Sequence, residues 1–135
     1  MVRKLLLDTN VLIDDLRQPK ENNTLFKSLE KDSYRLFISA ISLTELWAGE
    51  SIETPLGKKL VNNLLGNVET FPLTDKILKR AGEEMRKDRS LYLGDALVVA
   101  TAITFKVTLV TLNTRHFEKV RNVEFFDLDK YKKLS

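Results

Sequence analysis

Apolar residues in this chain fall into short runs that alternate with longer stretches of helical period. Arg3 to Leu7 ends in three leucines and reads as a buried strand. Asn10 to Arg17 reads as a short helix, and Pro19 marks the break after it. Over Glu21 to Lys31, a helical reading puts Leu25, Phe26 and Leu29 on one face. Arg35-Leu36-Phe37-Ile38 is a second strand, ending near Ser39, and Ile41 to Ala48 is helical. Thr54-Pro55 pairs an N-cap with proline at the first helical position, opening a helix that ends near Gly66. Val68 to Phe71 is a third strand, closed by Pro72. Thr74 to Asp88 is amphipathic: Ile77, Leu78, Ala81 and Met85 face inward, while Lys76, Lys79, Arg80, Glu83, Glu84, Arg86 and Lys87 face out. Ala96 to Phe105 is apolar nearly all round, as in a helix buried on most sides. Val107 to Thr111 and Val123 to Phe126 complete the strands, and Asp127 to Ser135 is a charged tail.

Strands alternating with helices predict an α/β fold, with a parallel sheet wrapped by helices. Right-handed crossovers bring the carboxyl ends of such strands to a common edge. At 135 residues, with no repeat, low-complexity tract or linker, a single domain spanning 1–135 is expected. The hydrophobic fraction of 43% and charged fraction of 30% suit a soluble protein, and no apolar run is long enough to span a membrane. The opening Met1-Val2-Arg3-Lys4 resembles the start of a signal peptide, but Asp8 interrupts the apolar stretch and no small-residue cleavage site follows. The absence of cysteine excludes disulfides and thiolate sites and is compatible with a cytoplasmic location. Lys and Arg exceed Asp and Glu by 22 to 19, which permits a nucleic-acid partner without requiring one.

Three acids stand at the ends of apolar elements: Asp8 after Leu5-Leu6-Leu7, Glu45 in Ser42-Leu43-Thr44-Glu45, and Asp95 at the head of the Ala96 to Phe105 helix. Each has a structural reading as well. Asp8 or Asn10 suits an N-cap for the first helix. Ser42 to Glu45 fits a capping box, which would commit Glu45 to a backbone amide; Ser42 or Thr44 can instead orient the carboxylate. Asp95 gains from the helix dipole, although so apolar a helix places it near the interior, where a carboxylate needs pairing or a cation. Asn113 has a turn or N-cap role as its default and can also complete a site at the same sheet edge. His116 is the only histidine; without a second one or any cysteine a zinc site is not expected, and it reads as a partly exposed loop residue. Trp47 and Phe37 read as core or interface, and Lys76 to Arg89 as a solvated helix face.

Taken together, Leu6-Leu7-Asp8-Thr9-Asn10-Val11-Leu12-Ile13-Asp14, Ser42 to Gly49, Gly94-Asp95-Ala96 to Ala102, and Val110-Thr111-Leu112-Asn113-Thr114-Arg115-His116-Phe117 resemble the four ordered blocks of PIN domains, and among these the VapC toxins of toxin–antitoxin pairs. The resemblance covers residues 5 to 117. It implies a three-layer α/β/α fold around a parallel sheet of about four to five strands, and a Mg²⁺- or Mn²⁺-dependent ribonuclease. It implies Asp8, Glu45 and Asp95 as metal ligands and catalytic acids, with Thr9 and Asn10 supporting the first aspartate. Asn113 falls where many members carry a fourth acid, so one cation, or a second recruited with substrate, is the expectation. The resemblance also implies a homodimer and a small cognate antitoxin. Hard carboxylate oxygens suit those cations, and the lack of a second histidine disfavours a histidine-pair ribonuclease mechanism. Two other functions fit parts of the pattern. A haloacid-dehalogenase-type phosphatase would use Asp8 as nucleophile, but Asp8-Thr9-Asn10 lacks that family's second aspartate. A PIN-like module that binds RNA or protein without cutting would not need all three acids. Residues that contact the RNA are not legible in the sequence.

Overall fold

The structure is a computed structural model that describes residues 2–129 and 131. Four strands, β1 (Lys4–Leu7), β2 (Arg35–Ser39), β3 (Glu69–Phe71) and β4 (Thr108–Val110), form one wholly parallel sheet in the order β3-β2-β1-β4. Six helices connect them: α1 (Thr9–Arg17), α2 (Leu25–Lys31), α3 (Ala40–Trp47), α4 (Pro55–Leu65), α5 (Asp75–Lys87) and α6 (Leu93–Phe105). Short 3-10 turns occupy Glu50–Glu53 and Thr114–Phe117.

Alternation within the strands divides the core. Leu5, Leu7, Leu36, Ile38 and Val110 pack on one face against Val11 and Leu12 of α1, Phe26 and Leu29 of α2, and Val61 and Leu64 of α4. Leu6, Phe37 and Leu109 point the other way, against Val98 and Ala102 of α6. Helix α5 covers the far side of α6 through Ile77 and Ala81. The result is helix, sheet, helix, as the alternating pattern predicts. Because β1 leads to β2 and β3 on one side while β4 lies on the other, strand order reverses between β1 and β4. The carboxyl edge at such a switch point is where open α/β sheets bind ligands.

Several elements depart from the sequence reading. Helix α2 begins at Leu25 rather than Glu21, because the Thr24 hydroxyl caps it by accepting from Lys27 N. Residues Val123 to Phe126 do not form a strand. The segment makes a single bridge at Phe125, in which Leu109 N donates to Glu124 O and Phe126 N to Leu109 O. It then leaves the sheet to bury Phe126 and Tyr131 in the core. The tail is therefore not simply a charged extension, although residues 130 and 132–135 lie outside the described residues, as does Met1. In α5 the inward stripe is Ile77, Ala81 and Glu84, with half-buried Met85 packed beside it as expected; Leu78 is exposed. Position 84 completes the stripe of 77 and 81 at helical spacing, and the buried Glu84 carboxylate is balanced by Arg80 at 3.0 Å and Lys87 at 3.4 Å. Phe37 is core, stacked on Phe71, whereas Trp47 is partly exposed with Lys58 Nζ over its ring. No helix among the described residues is long and apolar enough to cross a membrane.

Candidate active site at the sheet switch point

Asp8 follows β1 directly, and its backbone N–H still donates to Val110 O, prolonging the β1–β4 ladder by one step. It is also the N-cap of α1. The capping and functional readings are therefore compatible, because its two oxygens face different partners. Oδ1 accepts from Thr9 N at 2.8 Å, while Oδ2 accepts from Thr111 Oγ1 at 2.9 Å and from Asn10 Nδ2 at 3.3 Å. Asn10 spans the switch point: Nδ2 also donates to Thr111 Oγ1, and Oδ1 accepts from Leu112 N. The Asp8 carboxyl is pushed up to about 6, first by burial and further by the charges of Asp95 and Glu45; its bonds from Thr111 and Thr9 oppose the shift. Three negative groups thus crowd one edge of the sheet.

Glu45 does not close a capping box. Helix α3 starts at Ala40, immediately after β2, with Ser39 as its cap, so Ser42 and Glu45 lie inside the helix. Ser42 is fully buried and its Oγ lies 2.8 Å from Thr9 Oγ1, which donates to Glu45 Oε1 at 2.7 Å. A hydroxyl has one proton to give, so Ser42 must donate to Thr9 while Thr9 donates to Glu45. This relay fixes the Glu45 carboxylate from below. Gly94 presses on it from the side: a Cβ at that position would stand 3.1 Å from Glu45 Oε2. Absence of a side chain at 94 is what lets α6 approach α3 there.

Asp95 lies in the first turn of α6, whose cap, Tyr92, supplies no side-chain acceptor. Because α6 runs antiparallel to the β4 strand it feeds, its N-terminus returns to the carboxyl edge of the sheet. Burial raises the Asp95 pKa, and His116, with Nδ1 3.4 Å from Asp95 Oδ2, acts against that rise. Asn113 Nδ2 lies 2.9 Å from His116 Nε2. An amide nitrogen only donates, so Nε2 accepts there and Nδ1 carries the proton facing Asp95. The Asn113 side chain therefore faces His116, while its backbone N–H donates to Thr111 Oγ1 at 3.1 Å.

Asp8, Thr9, Asn10, Ser42, Glu45 and Asp95 thus converge on one edge. Among the described residues no three acidic, imidazole or thiol groups close into a ready-made metal cage. Asp95 is turned toward His116, and Glu45 is held by Thr9. Three contributors escaped the sequence reading. Thr111 reaches Asp8 because Leu7 pairs with Val110, so the next residues are neighbours; that register is not visible before the sheet is known. Gly94 acts by what it lacks. His116 is exposed, as expected of a loop residue, yet it faces Asp95.

The family model of the PIN domain matches residues 5–123. Ribonuclease VapC10 of Mycobacterium tuberculosis is 36% identical over 117 residues, which cover 84% of this chain and 85% of the relative. Two solved structures share the fold at lower identity. DNA-bound VapBC from Salmonella typhimurium has a TM-score of 0.76 at 23% identity, covering 94% of this chain and 98% of that one. VapBC2 from Rickettsia felis, bound to a DNA fragment from its promoter, has a TM-score of 0.75 at 22% identity, covering 91% and 97%.

Proposed function

The chain belongs to the PIN-domain family, and from that premise we propose that it is a divalent-cation-dependent endoribonuclease, the toxin of a VapBC-type pair. The observation that carries the reading is the crowding of Asp8, Glu45 and Asp95 at the switch point, where burial and mutual repulsion hold Asp8 well above the ordinary carboxylate range. Hard oxygen donors with surplus negative charge fit Mg²⁺ or Mn²⁺, and Mg²⁺ keeps several waters, so the three acids can bind it partly through water without closing into a tight cage. When bound, such a cation supplies positive charge against the scissile phosphate and makes a bound water more acidic.

The chain's own residues do the rest. Thr111, Asn10 and Thr9 N hold the Asp8 carboxylate from both sides. Ser42 and Thr9 hold Glu45. His116 holds Asp95 loosely enough, at 3.4 Å, for the carboxylate to turn toward a ligand. Asn113 brings no negative charge, so a single resident cation is the simpler stoichiometry. Against the phosphatase alternative, the position two residues after Asp8 is an amide whose oxygen and nitrogen are both engaged, leaving no acid to protonate a leaving group. Partner assignments follow from the family: an RNA substrate, a small antitoxin protein, a homodimer, and action in the cytoplasm from one domain.

The test is cleavage of total RNA by the purified chain with Mg²⁺ or Mn²⁺, with chelator, and with Asp8→Asn or Asp95→Asn. Cation-dependent cleavage lost in both variants is expected. Undiminished cleavage by the two variants overturns the assignment.

A further inference from the structure

We propose that the ring of Tyr92 is the platform on which one base of the RNA substrate stacks, beside the phosphodiester presented to Asp8, Glu45 and Asp95. The inference rests on the ribonuclease reading above and names how that site grips its substrate.

Tyr92 is 71% exposed, the most exposed large apolar side chain among the described residues. Other rings have evident structural work. Phe26, Phe37, Phe117 and Phe126 are buried, Phe105 stacks on Phe71 at 4.0 Å, and Trp47 lies against Lys58. Tyr92 caps α6 through its backbone only, so neither helix formation nor core packing accounts for its ring. Its position does. It precedes Asp95 by three residues, and its ring meets His116 edge to face, with centroids 6.3 Å apart and planes at 67°. His116 in turn faces Asp95 at 3.4 Å. The ring therefore stands one side chain away from the acid edge, within reach of a nucleotide whose phosphate lies on the acids.

Charge favours a nucleic acid over an apolar protein surface at this corner. Arg115 adjoins His116 in the 3-10 turn, and Arg89 lies exposed in the loop before Tyr92. Across that loop Asp88 ionises more readily than usual, through its bond from Ser90 and also through the charge of Lys119. Basic residues in the two segments that carry Tyr92 and His116 thus accompany an exposed ring beside a phosphate-directed site, a combination suited to single-stranded nucleic acid. A tyrosine ring stacks on any base, so it anchors the strand without choosing a sequence, which suits recognition of unpaired RNA.

The experiment uses a short single-stranded RNA carrying 2-aminopurine at successive positions, with the full chain in the non-cleaving Asp8→Asn background. Stacking predicts quenched fluorescence at one position, lost in Tyr92→Ala with an affinity decrease of about 5- to 150-fold. Tyr92→Trp should retain both, and Tyr92→Leu should behave like Ala. With Asp8 intact, Tyr92→Ala should raise KM far more than it lowers kcat. Unchanged affinity in Tyr92→Ala, or full rescue by Leu, overturns the proposal. So does a Tyr92→Ala protein that loses self-association, which assigns the ring to a protein contact. Absence of cleavage by the unaltered chain would instead defeat the ribonuclease reading, and the fluorescence would still report on stacking.

Discussion

Replacing Asp8 by Asn separates the stability of this fold from its chemistry, and the two should move in opposite directions. The Asp8 carboxyl is raised from 3.8 to about 6 in the folded chain. At roughly 1.4 kcal/mol per pKa unit, ionising it in the folded state costs about 3 kcal/mol relative to the unfolded chain. The sign follows from proton binding. Between pH 3.8 and about 6 the folded state holds the proton more tightly than the unfolded state, so stability falls as pH rises through that window. Below it the cost is absent, and at neutral pH it is complete. An Asn carries no charge to desolvate, and its Oδ1 can still accept from Thr9 N. Its Nδ2, however, would face two groups that now donate to Asp8 Oδ2: the Thr111 hydroxyl, which can reverse and accept, and the Asn10 amide at 3.3 Å, which cannot, a loss of about 1 kcal/mol. Asp8→Asn should therefore stabilise the cation-free protein by about 2 kcal/mol at pH 7.5, a Tm increase of several degrees. At pH 4.5, where the folded wild type is mostly protonated, the advantage should vanish. Thermal unfolding of both proteins in chelator at the two pH values provides the measurement, and Mg²⁺ or Mn²⁺ should then raise the wild-type Tm and leave the variant unmoved. An Asp8→Asn protein less stable than wild type at pH 7.5, with the same difference at pH 4.5, would refute the reasoning.

Other substitutions probe the supports. Thr9→Val cuts the Ser42–Thr9–Glu45 relay and should weaken Mn²⁺ binding, read by calorimetry, about 10- to 100-fold; Ser42→Ala, which removes only the outer donor, should cost less. Thr111→Val leaves Asp8 Oδ2 and Asn10 Nδ2 short of a buried partner and should lower stability by about 1–3 kcal/mol in denaturant titrations, with activity also reduced. Gly94→Ala sets a methyl 3.1 Å from Glu45 Oε2; cleavage should fall at least about tenfold while Tm holds or rises, since alanine favours the helix by up to about 1 kcal/mol. A Tm loss matching the activity loss in Gly94→Ala would show that the contact serves packing instead.

Asp8 and Asp95 were conspicuous in the sequence because each interrupts an apolar element, and their burial in the structure has the same origin. Glu45 was ambiguous for a local reason: Ser42 and Glu45 have capping-box spacing, but Ser39 ends β2 and caps α3 with no intervening loop, so the box falls inside the helix. What local pattern does not encode is contact between segments far apart in the chain. Thr111 joins the site through strand register, Gly94 through the closeness of two helices, and His116 through the turn that Asn113 opens. The same limit explains the missing last strand. Val123 to Phe126 has strand composition, but only one bridge forms on β4 before Phe126 is drawn into the core. On α5 angular position overrides side-chain type: Leu78 is apolar but lies off the inward stripe and is exposed, whereas Glu84 is charged but lies on it and is buried.

The central claim is that Asp8, Glu45 and Asp95 act as one cation site. Titration of the metal-free protein with Mn²⁺, followed calorimetrically in the wild type and in Asp8→Asn, Glu45→Gln and Asp95→Asn, tests it most directly. A single saturable site, lost or weakened at least about tenfold in each variant while all remain folded, is the predicted result. Binding that survives unchanged in any two of the three variants would contradict it.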